Sequence, residues 1–245
     1  MKITITNGKG GTGKTTLNTF LAEWLYSHGK TVLLIDLDSN CSLSEVYEKT
    51  LCDRNSKQLL SGLPTIPYQI KRDGNATLDI IPSDLDLDML QNIMDSQLKN
   101  QLKKQGFEDR YEYILIDPPG TWNSQTRNAV FAADSIVVVG KCSPLDFVAT
   151  QKYIAKLDEC GFDDNITVAC NSYSFQTDPD KIWEMYQKAF KDKILESPIP
   201  KMNSLKRLAA NSDYRIRSDL QDKLGLFVKA ATREQMRTNP TGGEK

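Results

Sequence analysis

Apolar positions along this chain fall into two alternating rhythms. Short runs rich in β-branched residues recur: KITIT (2–6), TVLLID (31–36), TLDIIP (77–82), YEYILID (111–117), DSIVVVG (134–140) and NITVACN (165–171). Several are apolar on successive residues, the pattern of strands covered on both faces. Between the runs the spacing lengthens. Leu17, Phe20, Leu21, Trp24 and Leu25 recur at i, i+3, i+4, i+7 and i+8, one stripe of a helix. Further helices are expected around 84–104, 123–133, 145–160, 180–191 and 218–236. This alternation predicts an α/β fold, a doubly wound, mostly parallel β-sheet with helices on both faces. No internal repeat, low-complexity tract or linker interrupts it. Residues 1–237 are therefore expected to form one domain, with TNPTGGEK (238–245) a flexible tail.

Composition narrows the picture a little. Of 245 residues, 39% are hydrophobic and 26% charged, as in an ordinary soluble globule. The formal net charge is -1, so nucleic-acid affinity would have to come from a local basic patch. No apolar run approaches the roughly 20 residues that span a bilayer. The first strand begins at once, which leaves no room for a signal peptide and predicts a cytoplasmic protein. Five cysteines form no CxxC pair and are expected to stay reduced. His28 is the only histidine, which argues against a histidine-based zinc site or a Ser-His-Asp triad. It falls at a helix end, where a surface or capping role suits it.

The chemistry begins in ITITNGKGGTGKTT, residues 3–16. Gly8, Gly13, Lys14 and Thr15 satisfy G-x-x-x-x-G-K-[ST], between a predicted strand and a predicted helix. Glycines let consecutive backbone N–H groups curl around a phosphate, and the helix start adds its positive end. The candidate phosphate cradle is thus Gly8, Lys9, Gly10, Gly11, Thr12, Gly13, Lys14, Thr15 and Thr16, with the Thr15 hydroxyl directed to Mg²⁺. A triphosphate site also needs carboxylates at other strand ends. Asp36 and Asp38 end one run and Asp117 another. Asp117 suits holding Mg²⁺ through water, and Asp38 suits orienting an attacking water beside the metal. A helix cap is the alternative for Asp36 or Asp38. DLDLDM (84–89) has Met89 and Asp95 where a calcium loop needs glycine and its final bidentate acid, so it is read as a helix start instead.

These residues carry a family. KGGTGKTT (9–16) resembles the deviant Walker A loop of the ParA/MinD ATPases, with Lys9 in the place of their signature lysine. GKTVLLIDLDSN (29–40), YEYILIDPPGTWNSQTRNAVFAADSIVVV (111–139) and SPIPKMNSLKRLA (197–209) are similar to later family segments. The resemblance implies a P-loop NTPase fold and slow ATP hydrolysis with catalytic Lys9, Lys14 and Asp38. It implies a homodimer formed on ATP, in which Lys9 touches the phosphates of the other subunit. Two departures stand out. Gly120 in DPPG (117–120) occupies a common proline position, and SNCS (39–42) replaces the usual P-Q-G-N.

The resemblance also places Asn171, and Pro200 in the late IPKM loop, at the adenine, although Asn171 equally suits a turn. It implies non-specific DNA binding in the ATP state, with Lys201, Lys206, Arg207, Arg215, Arg217, Lys229 and Arg233 as the candidate patch. A solvated face is the alternative, because Asp213, Asp219, Asp222 and Glu234 are interspersed. The absence of a helix-turn-helix segment before the glycine loop resembles small ParA proteins that segregate plasmids or mobile elements with a ParB-like activator. Such a protein would be nucleoid-associated when ATP-bound. The alternative is a MinD-like positioning ATPase, which needs an amphipathic carboxy-terminal helix; REQMRTNPTGGEK shows no apolar stripe, so no membrane partner is expected.

Overall fold

The computed structural model describes residues 1–50, 52–90, 93–162, 164–172, 178–201 and 218–233, with backbone alone for 218–223. Seven strands form one sheet: β1 (Lys2–Thr6), β2 (Thr31–Asp36), β3 (Tyr68–Asp73), β4 (Ala76–Ile81), β5 (Tyr113–Asp117), β6 (Ser135–Lys141) and β7 (Ile166–Asn171). Their order is β3-β4-β2-β5-β1-β6-β7. Every pairing is parallel except that of β3 with β4. The expected doubly wound α/β fold is the one observed.

Consecutive strand residues feed opposite cores, which is why these runs read as continuous apolar stretches. Leu34, Leu115 and Val137 face a core closed by α1 (Lys14–Ser27) and α9 (Ser218–Thr232). Their neighbours Leu33, Ile35 and Ile116 face a second core under α4 (Gln97–Lys104), α5 (Phe107–Arg110) and α6 (Ser124–Ala132). Ile136, Val138 and Val168 face a third, under α7 (Pro144–Glu159) and α8 (Pro179–Phe190). Each such aliphatic side chain contributes about 1.5–3 kcal/mol on burial. In α1 the predicted stripe is realised: Leu17, Phe20, Leu21 and Leu25 are buried, while Trp24 stacks on His28. His28 ends the helix, with Nδ1 2.7 Å from the Trp24 carbonyl.

The structure departs from the sequence reading in four places. The helix around 84–104 is broken: a 3₁₀ turn at Leu87–Met89 precedes α4. Asp84 Oδ1 accepts from Asp86 N, an Asx turn that competes with helix. The short helices α2 (Ser42–Val46), α3 (Ser56–Leu60) and α5 were not foreseen. Nor was β3, a half-exposed antiparallel edge strand of largely polar sequence. The last helix is described to Thr232 instead of 236, and the tail 238–245 lies outside the described residues.

Candidate functional site

The first loop connects β1, an inner strand between β5 and β6, to α1. Gly11 and Gly13 adopt φ of +72° and +105°, the left-handed conformations that let a backbone nest close. Gly13 has a second reason to be glycine. A Cβ there would lie 2.1 Å from Asn171 Nδ2, which donates to the Thr12 carbonyl at 2.8 Å. Asn171 Oδ1 accepts from Ser172 N, so the buried amide braces the back of the loop. Pro200 follows Ile199, whose N–H donates to Cys170 O, and this brings it beside the end of β7.

Asp117 ends β5, next to β1, and lies under the loop. Its Oδ2 accepts from Thr15 Oγ1 at 2.8 Å and its Oδ1 from Asn18 Nδ2 at 2.9 Å. Burial raises its pKa above the ordinary carboxylate range, against the opposing pull of the Thr15 hydroxyl and the Lys14 charge. Asp36 ends β2 in register with Asp117. It accepts from Ser44 N, Ser44 Oγ and Asp38 N, so of the two it is Asp36 that fastens the start of α2. Burial, then the Asp117 charge, raises its pKa too.

A cleft of about 790 Å³ opens above these carboxylates, lined by Gly10, Gly11, Lys14, Thr15, Thr16 and Asp38 among others. Asp38 Oδ1 accepts from Asn40 N and Nδ2, while Oδ2 has no hydrogen bond among the described residues. Lys14 is 7% exposed, and its ammonium makes no hydrogen bond or ion pair among the described residues. Thr12 Oγ1 is likewise buried without a partner. An unpaired buried cation over a clamped carboxylate is costly unless an anion completes it. The donors and the shape therefore fit a phosphate chain with Mg²⁺ beside Thr15 and Asp117.

Lys9 stands apart. Its Nζ lies 2.8 Å from Asp146 Oδ2, at the start of α7. Asp146 also accepts from the Ser143 hydroxyl and donates its N–H back to it, a reciprocal cap. The candidate DNA residues do not converge among the described residues. Lys201 follows the stretch that runs out along β7 to its carboxyl end, whereas Arg233 Nη2 contacts the Asp164 carbonyl before β7 begins, and Lys229 lines the same groove as Arg233. Lys206, Arg207, Arg215 and Arg217 lie outside the described residues.

Asn18 and Lys141 were not singled out from sequence. Asn18 holds Asp117 from one turn into α1. Lys141, at the end of β6, would put its ammonium 3.8 Å from a Cβ at Gly11. A Cβ at Gly120 would meet Gly10 N at 2.8 Å, so the glycine in the usual proline position lets two loops touch. Cys41, in the usual glycine position of the other departure, adopts φ of +54°, retaining a left-handed turn at about 1–2 kcal/mol.

An AAA-domain family model (AAA_31) matches residues 1–168. The sporulation initiation inhibitor protein Soj of Bacillus subtilis is 33% identical over 148 residues, covering 57% of this chain and 58% of Soj. The chromosome partitioning protein ParA of Caulobacter vibrioides is 34% identical over 149 residues, covering 57% and 55%. The chain thus spans a little over half the length of these curated relatives. A putative plasmid partition protein from Borrelia burgdorferi, solved bound to AMPPNP, shares the fold, with a TM-score of 0.77 and 21% identity over 95% of this chain and 98% of that one. With the glycine loop, the clamped strand-end carboxylate and this match in hand, the chain belongs to the ParA family of P-loop ATPases.

Proposed function

We propose that this protein is an ATP-driven partition switch. It binds ATP with Mg²⁺ in the 790 Å³ cleft, pairs with a second copy, binds DNA without sequence preference, and hydrolyses ATP when a ParB-like partner engages it. In this role it segregates or positions a plasmid or mobile element, in the cytoplasm and on the nucleoid while ATP is bound. No described helix is long and apolar enough to cross a membrane. The observation that carries the reading is the unpaired, buried Lys14 above Asp117, itself held by Thr15 and Asn18.

Each residue has a distinct task. Lys14 and the loop backbone bind the phosphates, and Thr15 with Asp117 holds the metal, directly or through water. Mg²⁺ held there would neutralise charge on the phosphates. Asp38 keeps Oδ2 free, because Asn40 occupies Oδ1, and so can accept a proton from a water attacking the terminal phosphorus. The bond from that phosphorus to the bridging oxygen breaks, leaving ADP and phosphate. Lys9 leaves Asp146 to reach the phosphates of the second copy, which makes pairing depend on ATP. Asn171 and Pro200 bound the base side, and the basic residues above supply the DNA contact.

The test is Asp38→Ala. Turnover is expected to fall by roughly 100-fold or more, as for loss of a water-positioning group, with ATP affinity retained and salt-sensitive DNA binding prolonged. Unchanged phosphate release, measured on the purified variant, would remove Asp38 from the chemistry. DNA binding absent in every nucleotide state would discard the carrier reading.

A further inference from the structure

Asp146, at the start of α7, is a buried carboxylate with its side-chain partners on one oxygen. The side chain is 6% exposed. Oδ2 accepts from Lys9 Nζ at 2.8 Å and from the Ser143 hydroxyl at 2.6 Å, while Oδ1 is buried with no hydrogen-bond partner among the described residues. Lys9 is the one cation paired with it among the described residues. Once Lys9 leaves for a second copy, a single neutral hydroxyl remains against a buried charge, which is unfavourable. A second cation taking the vacated place would remove that cost.

Such a cation stands close by. Lys141 ends β6, and its ammonium lies 3.8 Å from where a Cβ on Gly11 would be, beside the loop that carries Lys9. Its side chain is exposed and makes no hydrogen bond or ion pair among the described residues. Its backbone is held, because the carbonyl accepts from Tyr186 Oη at 3.1 Å and from Ser143 N at 2.8 Å. The second of these bonds folds the chain between Lys141 and the Ser143 cap of α7. A flexible four-carbon stem can therefore swing from the edge of the phosphate loop to Asp146 while the strand stays fixed. The geometry points to Lys141 as a stand-in for Lys9: when Lys9 crosses to the second copy, the Lys141 ammonium moves onto Asp146.

The phosphates are the other destination open to this ammonium, but Lys141 does not line the phosphate cleft, whereas Gly10 and Gly11 do. Asp146 is the nearer match, a buried charge with one oxygen unused. With the exchange, Asp146 stays neutralised in both states, so pairing does not have to uncover a buried carboxylate. Lys141 is then a positioning residue that acts through Asp146 and sets how readily Lys9 is released. The crossing of Lys9 rests on the pairing proposed above; the replacement of one lysine by the other at Asp146 does not.

The replacement is tested without nucleotide, in the full chain carrying Lys9→Ala. Brief acetylation by an N-hydroxysuccinimide ester, read by mass spectrometry, reports whether the Lys141 ammonium is free, with exposed Lys181 as the internal reference. Labelling of Lys141 is expected to fall about fivefold against the natural chain, the upper range for a partly exposed ion pair. It is expected to recover when Asp146→Asn is added to Lys9→Ala. Labelling unchanged by Lys9→Ala, or still low in the double variant, overturns the stand-in. The pairing step is read by ATP-dependent self-association in the ultracentrifuge. Lys141→Gln is expected to weaken it about fivefold, by the same ion-pair scale, and Lys141→Arg to restore it. In an Asp146→Asn background Lys141→Gln is expected to change nothing further. An equal loss there would mean that Lys141 touches the phosphates or the second copy directly, and would overturn its action through Asp146. A natural chain that never associates on ATP would count against the pairing reading, while the labelling result still decides whether Lys141 replaces Lys9.

Discussion

Lys14 and Lys9 occupy one loop, five residues apart, in opposite surroundings. Lys14 is 7% exposed and has no partner among the described residues; the Lys9 side chain is 40% exposed and rests on Asp146 at 2.8 Å. Burial without a partner is unfavourable for a cation until an anion arrives, so the floor of the site is built for permanent phosphate contact. Exposure with a replaceable partner costs little to undo. The mouth of the site is built for exchange, and the same residue type serves both because its surroundings differ.

The largest effect that would sharpen this contrast is at the floor. Lys14→Ala is expected to weaken nucleotide binding roughly 100-fold, the scale of a lost charge-assisted phosphate contact, as read by calorimetric titration. Retention of normal affinity would break the distinction. At the mouth the expected change is smaller and opposite in sign. Asp146→Asn keeps an acceptor for Ser143 but removes the charge that holds Lys9. ATP-dependent self-association is expected to tighten about threefold, as followed by analytical ultracentrifugation. Weaker association would show that Asp146 belongs to the pairing surface itself.

The smallest effect concerns pH. Asp36 and Asp117 have raised pKa values in the fold, chiefly from burial, so the folded chain holds protons that the unfolded chain has already lost. Their contribution to stability therefore grows as pH falls from above neutral toward the ordinary carboxylate value near 4. Without nucleotide or Mg²⁺, the melting temperature is expected to rise by a few degrees between pH 8 and pH 6 through these two groups. Asp117→Asn is expected to flatten that slope. A slope unchanged in the variant would show that Asp117 is not its source.

Much of this arrangement could be read from the residues. The parallel strands announce themselves because both faces are covered, and the glycine loop because its conformations demand glycine at Gly11 and Gly13. What escaped depends on contacts between distant segments. Asp146 caps its own helix and gains meaning only when Lys9, 137 residues earlier, reaches it. Gly120 was legible as a departure, but its close approach to Gly10 is set by the spacing of β5 and β1. The strand β3 went unseen because a half-exposed edge carries polar residues on successive positions, YQIKRD, and keeps no clear alternation. Helices of five residues such as α2 and α3 are shorter than the window in which a helical period can be recognised.

The brace from Asn171 to Thr12 spans 159 residues. During synthesis the glycine loop leaves the ribosome early, but the side chain that fixes its back arrives only with the seventh strand. Strands β5 and β6, which flank β1, must be laid down in between. The nascent chain therefore carries its most recognisable motif for most of its elongation in an unbraced form, and competence to grip a nucleotide firmly becomes a late event, timed by translation of the far edge of the sheet.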